Sequence, residues 1–220
     1  MISIAIDGPA GAGKSTLARR LASELAYIYV DTGAMYRTVA LYAIRNGVQP
    51  SDEAKVSALL CNVKIEIKYI DEAQHIFLGE EDVSEAIRAE QVSMGASAVA
   101  AHKAVREFLL SSQREIAKGS NVIMDGRDIG TVVLPNATVK IYLTATEEAR
   151  AKRRTDELLC KGMEADYNKV LEDVKKRDYD DTNRAIAPLK QAQDAVLVDT
   201  TKLDFEGSYE LLLKTIKERI

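Results

Sequence analysis

Tryptophan is absent from the 220 residues, and aromatic side chains make up only 5%. Base-stacking platforms of the kind that hold single-stranded nucleic acid are therefore poorly supplied. Cysteine is scarce too. Cys61 and Cys160 show neither metal-ligand spacing nor the density of a disulfide framework, and only His75 and His102 could join them, so no structural zinc site is expected. Both cysteines read as packing residues, and neither histidine is expected to carry chemistry. No apolar run approaches the ~20 residues of a membrane span. The opening MISIAID lacks the basic region and cleavage site of a signal peptide, and a reduced cytoplasmic setting is expected. An excess of positive charge is also missing: 30 basic against 34 acidic residues give a net charge of -4. That excludes an overall electrostatic footprint for nucleic acid. A chain like this must grip phosphate, if it does so at all, with a local cluster of Arg and Lys.

What is present is an ordinary globular composition, 46% hydrophobic and 29% charged. The length suits one core carrying an insertion or a lid. Five short apolar runs stand out at 2–7, 27–31, 122–125, 139–143 and 195–199, and four of them end in Asp. Their hydrophobicity is continuous rather than alternating, as in parallel strands covered on both faces. Helical patterns at 15–25, about 90–118, 146–159 and 209–220 separate or follow them. Strands alternating with helices predict an α/β doubly wound core with a five-stranded parallel sheet. One segment breaks the rhythm. VKIEIKY at 63–69 alternates apolar and polar, a turn at Asp71 and Glu72 follows, and a second run covers 75–78. That predicts a small antiparallel β insert.

The most specific motif is the run from Gly8 through Pro9, Ala10, Gly11, Ala12 and Gly13 to Lys14 and Ser15, which fits G-x-x-x-x-G-K-[ST]. It lies between an apolar strand ending at Asp7 and a helix opening near Lys14, the context the motif requires. At about 7% glycine usage, a chance match to the full motif in this chain is roughly a one percent event. Its backbone N–H groups and the following helix N-terminus would cradle phosphate oxygens. Lys14 would reach the β- and γ-phosphates, and the Ser15 hydroxyl would ligate Mg²⁺. The predicted ATP-phosphate set runs from Asp7 through Thr16.

A GTPase should carry N-K-x-D, but Asn168-Lys169 is followed by Val170 and Leu171. Asp125 closes the third strand, the place for an acid that helps hold Mg²⁺ through water. Arginines then discriminate. Arg37, Arg106, Arg127, Arg153, Arg154, Arg177 and Arg184 are spread along the chain, and Arg150, Arg153 and Arg154 share one helix face. If the segment near 177–184 is helical, Arg177, Asp181 and Arg184 share a face as well. Phosphoryl transfer between two phosphorylated substrates needs such a surplus, because the protein mainly positions and neutralises charge. A nucleotide kinase is the reading this favours, centred on Lys14 and Asp125. A kinase acting on another small acceptor such as shikimate, and an idle nucleotide-binding module, are the rivals.

The chain resembles the bacterial-type cytidylate kinases, nucleoside monophosphate kinases with a P-loop, nearly end to end. The matching segments are IDGPAGAGKST at 6–16, DTGAMYR at 31–37, ASAVAAHKAVRE at 96–107, DGRDIGTVV at 125–133, RDYDDTNRAIAPL at 177–189 and DAVLVDTT at 194–201. Lys103 departs from the Pro that the family often carries there. The resemblance implies transfer of the ATP γ-phosphate to CMP and dCMP, with Arg127 and Arg184 joining Lys14 and Asp125 as the catalytic set. It implies that Thr32 and Arg37 face the acceptor monophosphate, and that Arg127 and Asp128 contact the acceptor phosphate and the cytosine edge. Ser97 and Arg106 would read the base, while Asp181 and Arg184, with Arg177 alongside, would bind the sugar and phosphate region. Among the lid arginines, Arg154 is expected to reach the ATP phosphates. The implied anatomy is a single kinase domain: core about 1–35, 96–149 and 175–220, a monophosphate lobe with the β insert about 36–95, and a short helical lid about 150–174. A monomer with small nucleotides as its only partners is expected.

Overall fold

All five apolar runs fold as strands, short enough and rich enough in Ile and Val to be covered on both faces. The structure, a computed structural model, describes residues 1–70 and 73–220. In chain order the strands are β1 (Ser3–Asp7), β2 (Ile28–Asp31), β3 (Ile65–Ile70), β4 (Ala73–Leu78), β5 (Glu81–Asp82), β6 (Val122–Gly126), β7 (Val139–Thr144) and β8 (Val196–Asp199). The helices are α1 (Lys14–Leu25), α2 (Thr32–Arg45), α3 (Glu53–Leu59), α4 (Glu90–Val99), α5 (Lys103–Gly119), α6 (Glu147–Cys160), α7 (Tyr167–Asn183) and α8 (Phe205–Lys217).

The five-stranded parallel sheet has the order β2-β6-β1-β7-β8. β1 pairs in parallel with β6 on one side and β7 on the other. A chain that leaves a central strand and builds neighbours on both sides opens a crevice at the carboxyl ends, the usual ligand position in such sheets. Register decides which side chains gather there. Ile6 lies opposite Asp125 and Asp7 opposite Gly126, so the acidic ends of the two strands come side by side. Ile4, Ile6, Ile123, Met124 and Ile141 are buried on these strands. On the edge strand β8, Leu197 is exposed and Val198 buried.

Two compact units emerge, residues 1–28 with 121–220, and residues 29–120. In the first, α1 lays Leu17, Ala18, Leu21 and Ala22 into the core on one helical stripe. Burying Leu21 alone contributes about 2 kcal/mol. In the second unit, Asp31 caps α2 by accepting from Ala34 N at 2.9 Å. The inner face of α2 (Met35, Val39, Ala40, Ala43) joins a core with Ile76, Val92, Val99, Val105 and Leu109. The sequence reading counts 96–120 with the sheet core. Here α4 and α5 cluster with α2 and the insert instead, because Val99, Val105 and Leu109 point into that shared apolar cluster.

The antiparallel insert forms as expected, with a short third strand, β5, completing the order β3-β4-β5. The expected turn at Asp71 and Glu72 lies outside the described residues. The single helix read over 90–118 is two. The chain breaks at 100–102, where Arg106 Nη1 donates to the Ala100 carbonyl at 3.2 Å and the His102 ring meets Pro50 O at 2.8 Å. Lys103 is the first residue of α5, a position where Pro is tolerated because its N–H would have no intrahelical partner. Cys61 and Cys160 are both exposed rather than packed, one in a 3₁₀ turn over Leu60–Asn62 and the other in the last turn of α6. No helix among the described residues is long and apolar enough to cross a membrane.

Candidate active site

The loop between β1 and α1 is shaped by what its glycines omit. A Cβ on Gly8 would stand 1.9 Å from the Leu143 carbonyl oxygen of β7, so only glycine lets the chain leave β1 against that backbone. Gly13, at φ 87°, is the residue before α1 and brings no capping side chain, so the first helical N–H groups face the loop uncapped. Those amides and the helix dipole make an anion site. Lys14 is buried and donates from Nζ to the Pro9 carbonyl at 2.8 Å, curling over the loop. Burial pushes its pKa down to about 7, the Arg127 charge adds to that, and Asp125, Asp181 and Asp7 oppose it.

Ser15 donates from Oγ to Asp125 Oδ2 at 2.8 Å. A hydroxyl and a carboxylate side by side, beside a loop of inward N–H groups, are hard oxygen donors of the kind Mg²⁺ takes. The residues fit that ion.

Asp7, counted from the sequence with the phosphate-binding run, turns elsewhere. Its Oδ1 accepts from Ile129 N and its Oδ2 from Gly130 N, both at 2.7 Å. A carboxylate offers no donor to phosphate, so Asp7 supports the loop after β6 rather than the ligand. Burial raises its pKa to about 6, against the pull of those two amides. The segment it holds, Ile129–Val133, is a π-helical turn in which Val132 and Val133 both donate to Asp128 O. Such turns frequently mark functional sites. Nothing in the pattern DGRDIGTVV announces it.

Around that turn the expected acceptor-side residues of the first unit do come together. Arg127 Nε donates to Asp181 Oδ2 at 2.7 Å. Arg184 reaches Asp128 at 3.5 Å and Asp181 at 4.0 Å. Burial alone would raise the Asp181 carboxyl, but Arg127, Arg184 and Arg177 outweigh it and hold the pKa below its ordinary value. Burial likewise works against the Arg127 cation, and the charge of Asp181 more than restores it. Arg177 enters this field from α7.

The second unit carries the other four. Thr32 opens α2 and is buried. Arg37 Nη2 meets Asp31 Oδ2 at 2.7 Å, so the capping carboxylate also orients the arginine. Arg106 is buried on α5 with its guanidinium over the Tyr36 ring at 5.6 Å. Ser97 lies on α4, half-buried.

The three arginines of α6 do not act as one phosphate-facing row. Arg154 is half exposed and paired with Glu157. Arg153 donates to the Thr200 and Leu203 carbonyls beyond β8. Arg150 is buried against the loop and against Asp178 of α7. A three- and four-residue spacing fixes a helix face but not which neighbour each long side chain meets. In the sequence Asp178 stands only as one residue of the matched segment RDYDDTNRAIAPL, with no role attached.

The family model for cytidylate kinase matches residues 4–218. A cytidylate kinase of Caldicellulosiruptor bescii is 52% identical over 223 residues, covering 100% of this chain and 99% of the relative. One from Geobacillus sp. is 47% identical over 219 residues, 100% of this chain and 98% of that relative. Among solved structures, a gluconokinase from Sinorhizobium meliloti superposes with a TM-score of 0.52 at 12% identity, covering 99% of this chain and 92% of that one. An uncharacterized protein from Eubacterium ventriosum reaches 0.56 at 12% identity over the full length of both. Those two likenesses speak to the fold.

Proposed function

Because the chain belongs to the cytidylate kinase family, we propose that it transfers the γ-phosphoryl group of ATP to CMP and dCMP, giving CDP and dCDP. One observation carries the chemistry. A phosphate loop with its lysine in place shares one unit with two half-buried arginines, Arg127 and Arg184, set on carboxylates beside it. A phosphate acceptor already bears a nucleophilic oxygen, so no general base is needed; what it needs is neutralised charge and alignment.

The acceptor phosphate oxygen forms the new bond to the γ-phosphorus as the bond to the β,γ-bridging oxygen breaks, and ADP leaves. Loop amides and Lys14 hold the β- and γ-phosphates, and Arg127 and Arg184 offset the charge of the transferring group. Ser15, with Asp125 acting through water, would hold Mg²⁺, which supplies further charge neutralisation across the phosphates. Thr32 and Arg37 are assigned the acceptor monophosphate, and Arg177, Asp181 and Arg184 its sugar and phosphate region. Cytosine offers an N4 donor beside N3 and O2 acceptors. We assign the donor to Asp128 and the acceptors to Ser97 and Arg106. Exposed free thiols at Cys61 and Cys160 suit a reduced cytoplasmic setting, and we take the enzyme to be a monomer.

Turnover with ATP across a panel of nucleoside monophosphates tests the reading. CMP and dCMP should be the best acceptors; activity with AMP and none with CMP or dCMP would overturn it. Asp128→Ala should raise the CMP requirement and narrow the gap between CMP and other bases.

A further inference from the structure

We propose that Arg150 and Asp178 are a positioning pair, fastening α7 to the phosphate loop so that Asp181 and Arg184 stand in register with the donor. The proposal rests on the kinase reading above.

The Arg150 guanidinium is committed to protein acceptors on every nitrogen. Nη1 donates to the Ala10 carbonyl of the phosphate loop at 2.9 Å and to Asp178 Oδ1 at 3.0 Å. Nη2 donates to Asp178 Oδ2, and Nε to the Ala145 carbonyl at 2.9 Å. The side chain is only 3% exposed. A bidentate phosphate would have to displace at least one of these partners, since four of the five N–H donors are already taken. Arg150 is thus not a lid arginine awaiting ATP. A buried, planar fork that ties one loop carbonyl to one helix carboxylate fixes both distance and angle, which a flexible ammonium would not.

Position on α7 gives the pair its consequence. Asp178 and Asp181 are three residues apart, so they lie one turn from each other on the same face. Arg150 of α6 holds the first, and Arg127 after β6 holds the second. Arg184 follows directly at the end of α7 and reaches Asp181 and Asp128. The helix is therefore pinned at two carboxylates one turn apart, one tied to the donor loop and one to the acceptor-side arginine. A chain of packed, hydrogen-bonded groups of this kind carries coupling when each member has a fixed partner.

Three variants test it: Asp178→Asn, Arg150→Lys, and the apolar pair Arg150→Met with Asp178→Leu, which leaves no buried charge unpaired. Steady-state kinetics with CMP should show kcat/KM down by about 10- to 100-fold in all three, the order expected when reacting groups shift by ~1 Å. ATP affinity, measured directly by calorimetry, should change less than about threefold, the distinction that separates ground-state binding from alignment. The apolar pair should recover the thermal midpoint without recovering kcat/KM. If it restores both, the pair is a staple of stability and the proposal fails. Hydrogen exchange gives a second reading without CMP. ATP should slow exchange of the α7 amides in the wild type and not in Asp178→Asn. Equal protection in both proteins, or none in the wild type, overturns the coupling. Wild-type protein inactive on CMP would overturn the kinase reading alone, and the exchange experiment would still decide the pair.

Discussion

Gly8→Ala is the sharpest test of how this loop is built. A Cβ there would sit 1.9 Å from Leu143 O, 3.0 Å from Leu143 C and 3.4 Å from Leu143 N. All are backbone atoms of a central strand, so no side chain can swing aside. Reaching even 3.0 Å from the oxygen requires a displacement of more than 1 Å. Gly8 also has φ 149°, a region that L-residues rarely adopt. Overpacking of this order costs about 1–3 kcal/mol, and a residue held in a sparsely populated conformation adds about 1–3 kcal/mol. Together they amount to about 4 kcal/mol, or roughly 8–16 °C in a chain of this size. If the loop moves instead of the strand, phosphate alignment is lost and kcat/KM falls by about 100-fold. Gly79→Ala is the matched control, with φ 64° and nothing within 4 Å of the new methyl. It should cost about 1 kcal/mol, the backbone term alone. The assay is thermal unfolding of both variants alongside CMP turnover. A Gly8→Ala protein that matches Gly79→Ala in midpoint and retains wild-type turnover would refute the close approach as the reason for glycine.

Asp181→Asn should leave the Arg127 guanidinium in place without its charge partner, destabilising by about 3 kcal/mol, read as a lowered urea midpoint with a raised KM for CMP. Asp7 has a folded pKa raised to about 6 from 3.8; its contribution is present below about pH 4 and lost as pH rises through 6. The midpoint difference between Asp7→Asn and wild type should therefore shift in favour of the variant over that window, and a flat difference would count against it. Lys14 runs the other way, with a folded pKa lowered to about 7, so wild-type stability relative to Lys14→Met should fall as pH drops from about 10 to 7, while turnover of the variant is lost by about 10²- to 10³-fold.

Much of this was legible because hydrophobic continuity and loop chemistry are local properties. The runs ending at Asp7 and Asp125 read as buried parallel strands, and their register then sets Ser15 beside Asp125. Charge spacing at 177–184 says which side chains share a face once the segment is helical, but it does not establish the helix that carries Arg177 and Asp181. Partner choice was not legible. Arg150, Arg153 and Arg154 share a face in sequence, yet one meets a loop carbonyl and an α7 carboxylate, one the chain after β8, and one its own helix. Long side chains select partners by three-dimensional proximity, which periodicity does not encode. Asp7 misled for the same reason, since a motif names the residues near a phosphate without saying which way each points. The break at 100–102 was hidden because Ala-rich sequence on both sides has good helix propensity, and tertiary contacts of His102 and Arg106 override it.

Arg37, Arg127 and Arg184 donate to carboxylates, whereas Lys14 donates to the neutral Pro9 carbonyl. Arg127 is held in its charged form by Asp181 before any ligand arrives. Lys14 is depressed to about 7, with burial the leading cause and Arg127 next. A triphosphate therefore changes the protonation of Lys14 more than that of the arginines, since four negative charges arriving beside a buried amine favour its ammonium form. With the Lys14 pKa pushed down to about 7, ATP binding at pH 8 should draw in a proton. Titration calorimetry in two buffers of different ionisation enthalpy reads that proton directly. The apparent enthalpy should differ between buffers for the wild type, and the difference should vanish in Lys14→Met. A wild-type enthalpy that is the same in both buffers at pH 8 means the lysine is already charged in the free enzyme. In that case the loop carbonyl and the surrounding carboxylates, not the nucleotide, hold its proton.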